Sequence, residues 1–375
     1  MQLHVLIGYN LIGLMGNRIR IKDIAKKAKV STGTVDRVIH NRGNVSPEKR
    51  ARVKAVMEEL GYEPNIIART LATRRVMRIA LLLPDPSIDP YWELPNVGMN
   101  KAWHSVKHYG VELDHYYFNL FDQADFAKKA KVALKARPEA IVFPPVFLKA
   151  ANELLEACAR LGITVSLFNT ELSGENVLTY VGQNSYQSGV LAGKLLSFSM
   201  GPTGRVAVVN LSKEPANAKH LSDKAQGLED YFQAQGMGDR NRVEKVVFEA
   251  FENKAALRAF LLELLREQPD VKGFFVTNSR AYKILDALGQ EALQDIRIVG
   301  FDLLPENIAY LKKGAIQFLI NQNPVEQGYL SLTSVVQKLI FDKEVDAIQH
   351  LPLDIVVAEN AKYYLEREDK YALVV

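Results

Sequence analysis

The sequence predicts a small all-α head joined to a much larger α/β body. Near the start of the chain, apolar residues recur at helical spacing in two short segments separated by a turn. From Ile79 onward, ten apolar strand-like segments alternate with amphipathic helical segments, a pattern typical of parallel sheets covered by helices on both faces. The charge divides at the same place. Residues 1–78 contain 16 Lys and Arg against 6 Asp and Glu, and the remainder contains 31 against 37. A basic head on an acidic body indicates that the head binds a polyanion.

The head is predicted from the segment IKDIAKKAKVSTGTVDRVIHN at 21–41. Its apolar positions are Ile21, Ile24, Ala25 and Ala28 in the first helix and Val35, Val38 and Ile39 in the second. Two such faces, joined by a turn of about three residues, pack as a crossed pair. This is the helix-turn-helix layout, whose second helix enters the major groove of DNA. A third helix is expected after Ser46, where an N-cap is followed by Pro47 and Glu48, and Gly61 is expected to end it.

The second helix carries most of the candidate DNA contacts. These are Ser31, Thr32, Gly33, Thr34, Asp36, Arg37 and, just beyond the helix, Asn41. Ser31 is expected to cap the helix, and the Ser31 and Thr34 hydroxyls suit phosphate contacts together with backbone N–H groups at the helix start. Arg37 is suited to bidentate hydrogen bonding with the edge of a guanine base, and the alternative is that it contacts another phosphate. Asp36 either accepts a hydrogen bond from a cytosine amino group or holds a neighbouring arginine.

The segment that joins the head to the body, NIIARTLATR at 65–74, is amphipathic but short. Helices of fewer than about 12–15 residues are marginal in water, so this one is expected to order only when something holds it. The run RIALLLP at 78–84 then predicts a buried parallel strand that opens a new domain.

From IKDIA at 21–25 to RIALLLP, the head and the join resemble the lactose-repressor (LacI/GalR) family of transcription regulators. The resemblance implies a hinge helix that folds on DNA as one of a symmetric pair in the minor groove. It places Leu71 as a wedge between base pairs and Ala68 as the small residue before it, with Asn65 and Arg69 as further hinge contacts. Such a wedge unstacks the bases and bends the duplex, which brings more of the protein into contact with it. From the residues alone, Leu71 is also compatible with an ordinary core position.

Two features of the head depart from that family. Lys29 stands where the family usually has glycine, and a left-handed conformation there would cost about 1–2 kcal/mol, so a slightly different turn is expected. Thr32 and Gly33 are small where some relatives carry large base-reading side chains, which leaves the operator sequence open.

The body resembles a type I periplasmic sugar-binding protein, which is also the body of these regulators. Because some 290 residues are more than a domain built on a single sheet usually contains, two lobes are expected. Ligands of such folds bind in the cleft at the carboxyl ends of the strands. The candidate effector-binding residues are Asp89, Tyr91, Trp92, Asn169, Gln183, Asn184, Lys224, Asn278, Asp302 and Gln322.

The residue types and the resemblance indicate roles for several of these candidates. The Asp89 carboxylate is suited to accept hydrogen bonds from ligand hydroxyl groups. Tyr91 and Trp92 either stack on a sugar face or fill space between the lobes. The resemblance places Lys224 where relatives usually have an arginine that clamps the ligand. Lysine keeps the charge but loses the bidentate fork. The resemblance also places Asn278 at a position where an aspartate is frequent in the family.

The expected organisation is an N-terminal extension over 1–17, a helix-turn-helix domain over 18–63, a hinge helix and linker over 64–78, and a two-lobed effector-binding and dimerisation domain over 79–375. Residues 1–17 contain no Lys, Arg, Asp or Glu. Met15 begins the segment MGNRIRIKDIA and is a natural position for the start of translation. Residues 1–14 are therefore expected to be an upstream start or a disordered tail, with an uncleaved anchor as the alternative. Without a recognisable secretory signal the protein is expected to be cytoplasmic. Cys158 is expected to be a buried small hydrophobe in a reducing compartment.

The resemblance implies a sequence-specific DNA-binding transcriptional regulator. Its operator affinity would be controlled by a small effector, a sugar or sugar derivative, bound between the lobes. A homodimer is expected because two heads read the two half-sites of a near-palindromic operator in double-stranded DNA. No catalytic grouping, metal-ligand spacing or cofactor motif is recognised, and GPTG at 201–204 precedes a strand rather than following one, so it is no phosphate loop. The alternative function is a solute-binding protein of a sugar transporter, which the body alone permits and the head argues against.

Overall fold

The computed structural model describes residues 19–39, 43–62, 76–201, 203–213, 219–236 and 243–372. The chain divides into two compact units, Met1–Ala72 and Thr73–Val375.

The first unit has three described helices, α1 (Ile21–Ala28), α2 (Thr32–Ile39) and α3 (Pro47–Glu59). Their buried core is formed by Ile24, Ala25, Ala28, Val35, Val38, Val53 and Val56. Ile21 and Ile39, predicted to belong to the same faces, are only partly buried against it. Ser46 caps α3 as its sequence predicts, because its hydroxyl accepts a hydrogen bond from the backbone N–H of Lys49 at 3.4 Å.

The turn between α1 and α2 corrects one expectation. Lys29 adopts the left-handed conformation (φ 52°, ψ 48°), and its backbone N–H bonds the carbonyl oxygens of the last turn of α1. The turn therefore keeps the geometry that glycine would favour, although a side chain there costs about 1–2 kcal/mol. Packing of Ala25 and Ala28 against Val35 fixes the path of the chain and overrides the local preference of the lysine.

The described residues of the second unit form two six-stranded sheets. The first has the order β11-β5-β4-β3-β1-β2 and is parallel throughout. Its strands are β1 (Met77–Pro84), β2 (Val111–Phe118), β3 (Ala140–Phe143), β4 (Thr164–Phe168), β5 (Val177–Gly182) and β11 (Ile348–His350).

The second sheet has the order β12-β10-β9-β8-β6-β7, and only β12 runs antiparallel to its neighbour. Its strands are β6 (Arg205–Asn210), β7 (Val243–Val247), β8 (Val271–Val276), β9 (Arg297–Phe301), β10 (Phe318–Asn321) and β12 (Asp354–Val356). The ten strands predicted from the sequence are β1 to β10. Central strands such as β3 are buried on both faces, which is why they read as continuous apolar runs rather than alternating ones.

Helices cover both sheets. They are α4 (Glu93–Val106), α5 (Gln123–Lys135), α6 (Leu148–Leu161), α7 (Ser185–Met200), α8 (Lys219–Ala234), α9 (Lys254–Glu267), α10 (Ala281–Leu288), α11 (Pro305–Lys312), α12 (Pro324–Leu339) and α13 (Ala361–Ala372). Cys158 is fully buried in α6, and burial raises the pKa of its thiol to about 12. None of the helices that the structure describes is long and apolar enough to span a membrane.

The chain crosses between the sheets three times, at 183–184, at 322–323 and at 351–353. The helix after each of the first two crossings packs with a helix of the lobe it enters, so that α7 contacts α8 and α12 contacts α4. Two lobes result, as predicted, and three connections join them.

Glycine makes the α7–α8 contact possible. A Cβ on Gly189 would stand 1.9 Å from the carbonyl oxygen of Lys224, and one on Gly227 would stand 2.0 Å from that of Tyr186. The two backbones approach too closely for any side chain at these positions, and this approach fixes the position of Lys224 in the lobe.

Candidate functional site

In the first unit, the surface of α2 presents the predicted DNA contacts that the structure describes. Ser31, Thr32, Gly33 and Arg37 are exposed, whereas Thr34 and Asp36 are half-buried. The Ser31 hydroxyl accepts from the Thr34 backbone N–H at 3.1 Å and shares a 2.9 Å hydrogen bond with the Thr34 hydroxyl. Ser31 thus caps α2 as predicted. Asn41, Asn65, Ala68, Arg69 and Leu71 lie outside the described residues.

In the second unit, a cleft opens between the two lobes at the carboxyl ends of the strands. It holds about 810 Å³ of unfilled space, counted out to its opening. Eight of the predicted effector residues line it, namely Asp89, Tyr91, Trp92, Asn169, Lys224, Asn278, Asp302 and Gln322. They come from both lobes, so a molecule in the cleft contacts both.

Lys224 and Asp302 supply two buried charges to this cleft, each only 1% exposed. Among the described residues, the ammonium group of Lys224 hydrogen-bonds only the carbonyl oxygen of Thr277, at 3.0 Å, and it lies over the Phe301 ring at 3.6 Å. Asp302 Oδ2 accepts from the Gln322 amide at 2.7 Å, while Oδ1 has no hydrogen-bond partner in the described part of the chain. Lys224 donors and the Asp302 Oδ1 acceptor therefore remain open to a ligand.

Burial governs the electrostatics of this pair. It lowers the pKa of Lys224 and raises the pKa of Asp302, because each loses hydration of its charged form, and the opposite charge of the other opposes both shifts. A ligand that hydrogen-bonds both groups would replace the lost hydration, which makes hydroxyl-rich ligands suitable because a hydroxyl both donates and accepts.

A cross-lobe ion pair forms part of the lining of the cleft. Asp89 of the first lobe pairs with Arg280 of the second, and both side chains are almost completely buried. Arg280 also bonds the carbonyl oxygen of Leu211 at 3.2 Å and lies 4.9 Å from the centre of the Phe251 ring. Asn278 supports it, since the Asn278 side chain accepts from the Arg280 backbone N–H at 3.2 Å.

The two predicted aromatics are both buried and both line the cleft. Trp92 packs edge-to-face on Tyr91 at 5.1 Å and on Phe168 at 6.1 Å. The Tyr91 hydroxyl accepts from the Asn169 amide at 2.8 Å, and burial raises the pKa of this tyrosine well above its ordinary value. These contacts are consistent with aromatic rings that fill space between the lobes. Their position in the lining of the cleft is equally consistent with stacking on a sugar ring, so both roles predicted for Tyr91 and Trp92 remain open.

The structure places Gln183 and Asn184 elsewhere. Both line a second, open cavity, whose unfilled space is about 560 Å³ when counted out to its opening. Gln183 is connected to the main cleft through a hydrogen bond from its amide to Gln322. The Asn184 side chain caps α7 by accepting from the Gln187 backbone N–H at 2.9 Å.

Sequence reasoning did not select several residues that line the cleft, among them Phe121, Lys213, His220 and Arg280. The Thr170 hydroxyl shares a 3.0 Å hydrogen bond with His220 Nδ1 across the lobes. Burial, and then the charge of Lys224, lower the pKa of His220 to about 3, so its ring is neutral. Arg280 has a sequence signal, because it directly follows the Asn278-Ser279 pair after a predicted strand.

Comparison with known proteins agrees with this architecture. Residues 20–65 match the family described as bacterial regulatory proteins, lacI family, and residues 79–343 match the periplasmic binding protein domain. The chain therefore combines a lacI-family head with a body that belongs to the periplasmic binding protein domain family. The family resemblance and the fold class predicted from the sequence are thereby confirmed.

Individual relatives extend this result. The ribose operon repressor of Halalkalibacterium halodurans is 26% identical over 348 residues, which cover 91% of this chain and 97% of that protein. The sucrose operon repressor of Pediococcus pentosaceus is 27% identical over 76% of this chain and 82% of its own length. Both are named as operon repressors.

Among solved structures, a LacI transcriptional regulator from Bacteroides fragilis aligns with a TM-score of 0.70 and 26% identity over 77% of this chain and all of that one. GanP, a glucose-galactose binding protein from Geobacillus stearothermophilus, aligns at 0.64 with 22% identity over 76% of this chain and 99% of its own. The second likeness shows the shared fold alone.

Proposed function

We propose that this lacI-family regulator binds a near-palindromic operator as a homodimer and that a sugar or sugar derivative in the cleft controls its operator affinity. The observation that carries the effector proposal is the pair of buried groups, Lys224 and Asp302, with hydrogen-bonding capacity left open toward the cleft. Leaving such groups unpaired is costly, so a ligand that completes their hydrogen bonds is favoured. The names of the ribose and sucrose repressors support a carbohydrate.

Effector and operator are coupled through the lobes in this proposal. A ligand that contacts both lobes stabilises one relative arrangement of them, and an operator that selects the same or the opposite arrangement is bound more or less tightly. The coupling is reciprocal, so the operator changes the affinity for the effector by the same factor.

The test combines operator selection with effector screening. The purified full-length protein selects its operator from fragmented DNA, and a sugar library is screened by thermal shift. We expect a two-fold symmetric sequence, a protein dimer on it, and at least one sugar that both raises the melting temperature and changes operator affinity. Binding of an asymmetric site by a monomer would contradict the dimer, and the absence of any stabilising carbohydrate would contradict the effector class.

Salt dependence gives a further check on the head. Because residues 1–78 carry a large excess of positive charge, operator affinity should fall by orders of magnitude between roughly 50 and 200 mM salt, as counterions compete for the phosphates. An affinity that stayed constant over this range would contradict phosphate binding by the head.

The hinge proposal is tested with Leu71→Ala. The variant should weaken specific binding, spare non-specific binding and straighten the duplex in a circular-permutation assay, because it lacks the wedge but keeps the basic head. An unchanged bend angle would show that Leu71 is not the wedge.

A further inference from the structure

The second cavity lies beside the main cleft and is lined by polar side chains. Thr170 and Glu171 reach it from the first lobe, His220 and Asp223 from the second, and Gln183 from a crossing segment between them. A site built from both lobes and a crossing segment is positioned to respond to their relative movement.

Two hydrogen-bond acceptors in the lining of this cavity have no partner among the described residues, although the lining also includes the donor Lys219. Gln183 is buried, and its Oε1 atom has no hydrogen-bond partner among the described residues. The Glu171 carboxylate is exposed and forms no hydrogen bond or ion pair within the part of the chain that the structure describes. Asp223 is bonded to Lys219 at 2.5 Å. The open groups therefore suit a ligand that brings O–H donors.

His220 forms a common wall between this cavity and the main cleft. Its hydrogen bond with the Thr170 hydroxyl is the cross-lobe contact at that wall. Because the imidazole is neutral, one ring nitrogen can donate and the other can accept. Breaking the Thr170–His220 hydrogen bond therefore leaves no charged group without a partner. Hydroxyl groups of a ligand can form hydrogen bonds with the imidazole in its place.

A second connection joins the two spaces. Gln183 of the second cavity donates to Gln322, and Gln322 donates to Asp302 of the main cleft. Hydrogen bonding at Gln183 is thus coupled to the orientation of the buried carboxylate that the proposed effector contacts.

Resting on the proposed function, we infer that the effector is larger than a single sugar ring and that its second hydroxyl-bearing unit occupies the cavity formed by Glu171, Gln183 and Asp223. One ring lies at Lys224 and Asp302, the connection passes His220, and the next ring supplies O–H donors to Glu171 and to Gln183 Oε1. The ligand class is a disaccharide, a longer oligosaccharide or a glycoside.

Calorimetry of the full-length protein with matched sugars tests the inference. The probes are xylose with xylobiose, arabinose with arabinobiose, mannose with mannobiose, galactose with galactobiose, and glucose with maltose, cellobiose and sucrose. We expect at least one disaccharide to bind about tenfold or more tightly than its constituent monosaccharide, as extra hydrogen bonds to a charged group allow. The expected stoichiometry is one disaccharide per chain.

The variant Glu171→Gln identifies where the second ring lies. It should lower the ratio of disaccharide to monosaccharide affinity several-fold, because a neutral acceptor replaces a charged one while Gln183 is unchanged. The matched control is Glu175→Gln, in the same loop and exposed but lining neither cavity, which should keep the wild-type ratio.

Two results overturn the inference while leaving the proposed function intact. One is a monosaccharide that binds as tightly as every disaccharide containing it, or that binds at two independent positions per chain. The other is a disaccharide preference that Glu171→Gln leaves unchanged. If no carbohydrate of either length binds, the proposed effector class fails and the inference fails with it.

Discussion

The two lobes of the body have the same strand order, yet equivalent positions of their sheets carry different chemistry. Asn169 follows β4 in the first lobe and Asp302 follows β9 in the second, and both adopt a left-handed backbone, with φ of 66° and 65°. Both line the cleft. One lobe thus presents a neutral amide where the other presents a carboxylate.

The contrast continues around the cleft. After β3 the first lobe contributes Val146 and Phe147, whereas after β8, the equivalent strand, the second lobe contributes Asn278 and Arg280. The comparison indicates that the first lobe supplies mainly apolar surface and the second supplies most of the charge. Discrimination among ligands should therefore depend more on the second lobe, since an unpaired buried charge costs more than a lost apolar contact.

The largest expected effect comes from the second lobe. Lys224→Ala should lower the affinity for the screened effector about a hundredfold or more and abolish its effect on operator binding, because charge-assisted hydrogen bonds contribute about 1.5–3 kcal/mol each. Operator binding without effector should be retained, because Lys224 lies in the body. Calorimetry and operator titration measure the two quantities.

Lys213→Ala is the matched comparison for Lys224→Ala. Lys213 also lines the cleft, but it is exposed and its ammonium group lies 4.3 Å from the centre of the Phe121 ring, so a smaller loss is expected. A normal effector response in Lys224→Ala would show that the cleft assignment is wrong. Loss of operator binding without effector would show that Lys224 is needed for the structure of its lobe.

An intermediate effect is expected from acid. The pKa of His220 is lowered to about 3, by burial first and then by Lys224. The folded state thus favours the neutral ring, and the associated stability is present above the unfolded pKa of 6.5 and lost as the pH falls toward 3. At pH 5 the loss reaches ~2 kcal/mol.

Thermal unfolding between pH 7.5 and 5 measures this loss. His220→Gln should unfold with a weaker pH dependence, whereas His104→Gln, at an exposed histidine, should follow the wild type. Lys224→Ala should also weaken the dependence, because it removes a charge that opposes protonation of His220. Identical curves for the wild type and His220→Gln would contradict the buried neutral ring.

The sequence predicted the elements whose physical signals are local. Strands β1 to β10 are marked by apolar runs, and Ser31 and Ser46 by their capping positions. The edge strands β11 and β12 were not predicted, because three residues are too few to show a periodicity and their pairing depends on distant parts of the chain.

The site was predicted less completely for a related reason. The partner of Arg280 is Asp89, 191 positions earlier in the chain, and only the tertiary arrangement of the lobes brings them together. His220 lies on a helix whose sequence shows no special feature, and it joins the cleft through a cross-lobe contact with Thr170. Strand-end positions identify which residues face a cleft, whereas contacts between lobes depend on the tertiary arrangement.

The smallest expected effect is a difference between two variants, and it tests the comparison of the lobes directly. Asn169→Gly and Asp302→Gly remove the two equivalent side chains, and glycine accepts the left-handed backbone at both positions without strain. Asp302→Gly should weaken effector binding about tenfold to a hundredfold and Asn169→Gly about twofold to tenfold, because a hydrogen bond to a charged group is worth roughly twice a neutral one. Calorimetry of the two variants measures the difference, which should be about tenfold, or ~1.4 kcal/mol. Equal losses would show that the carboxylate makes no special contribution, and a larger loss for Asn169→Gly would transfer discrimination to the first lobe.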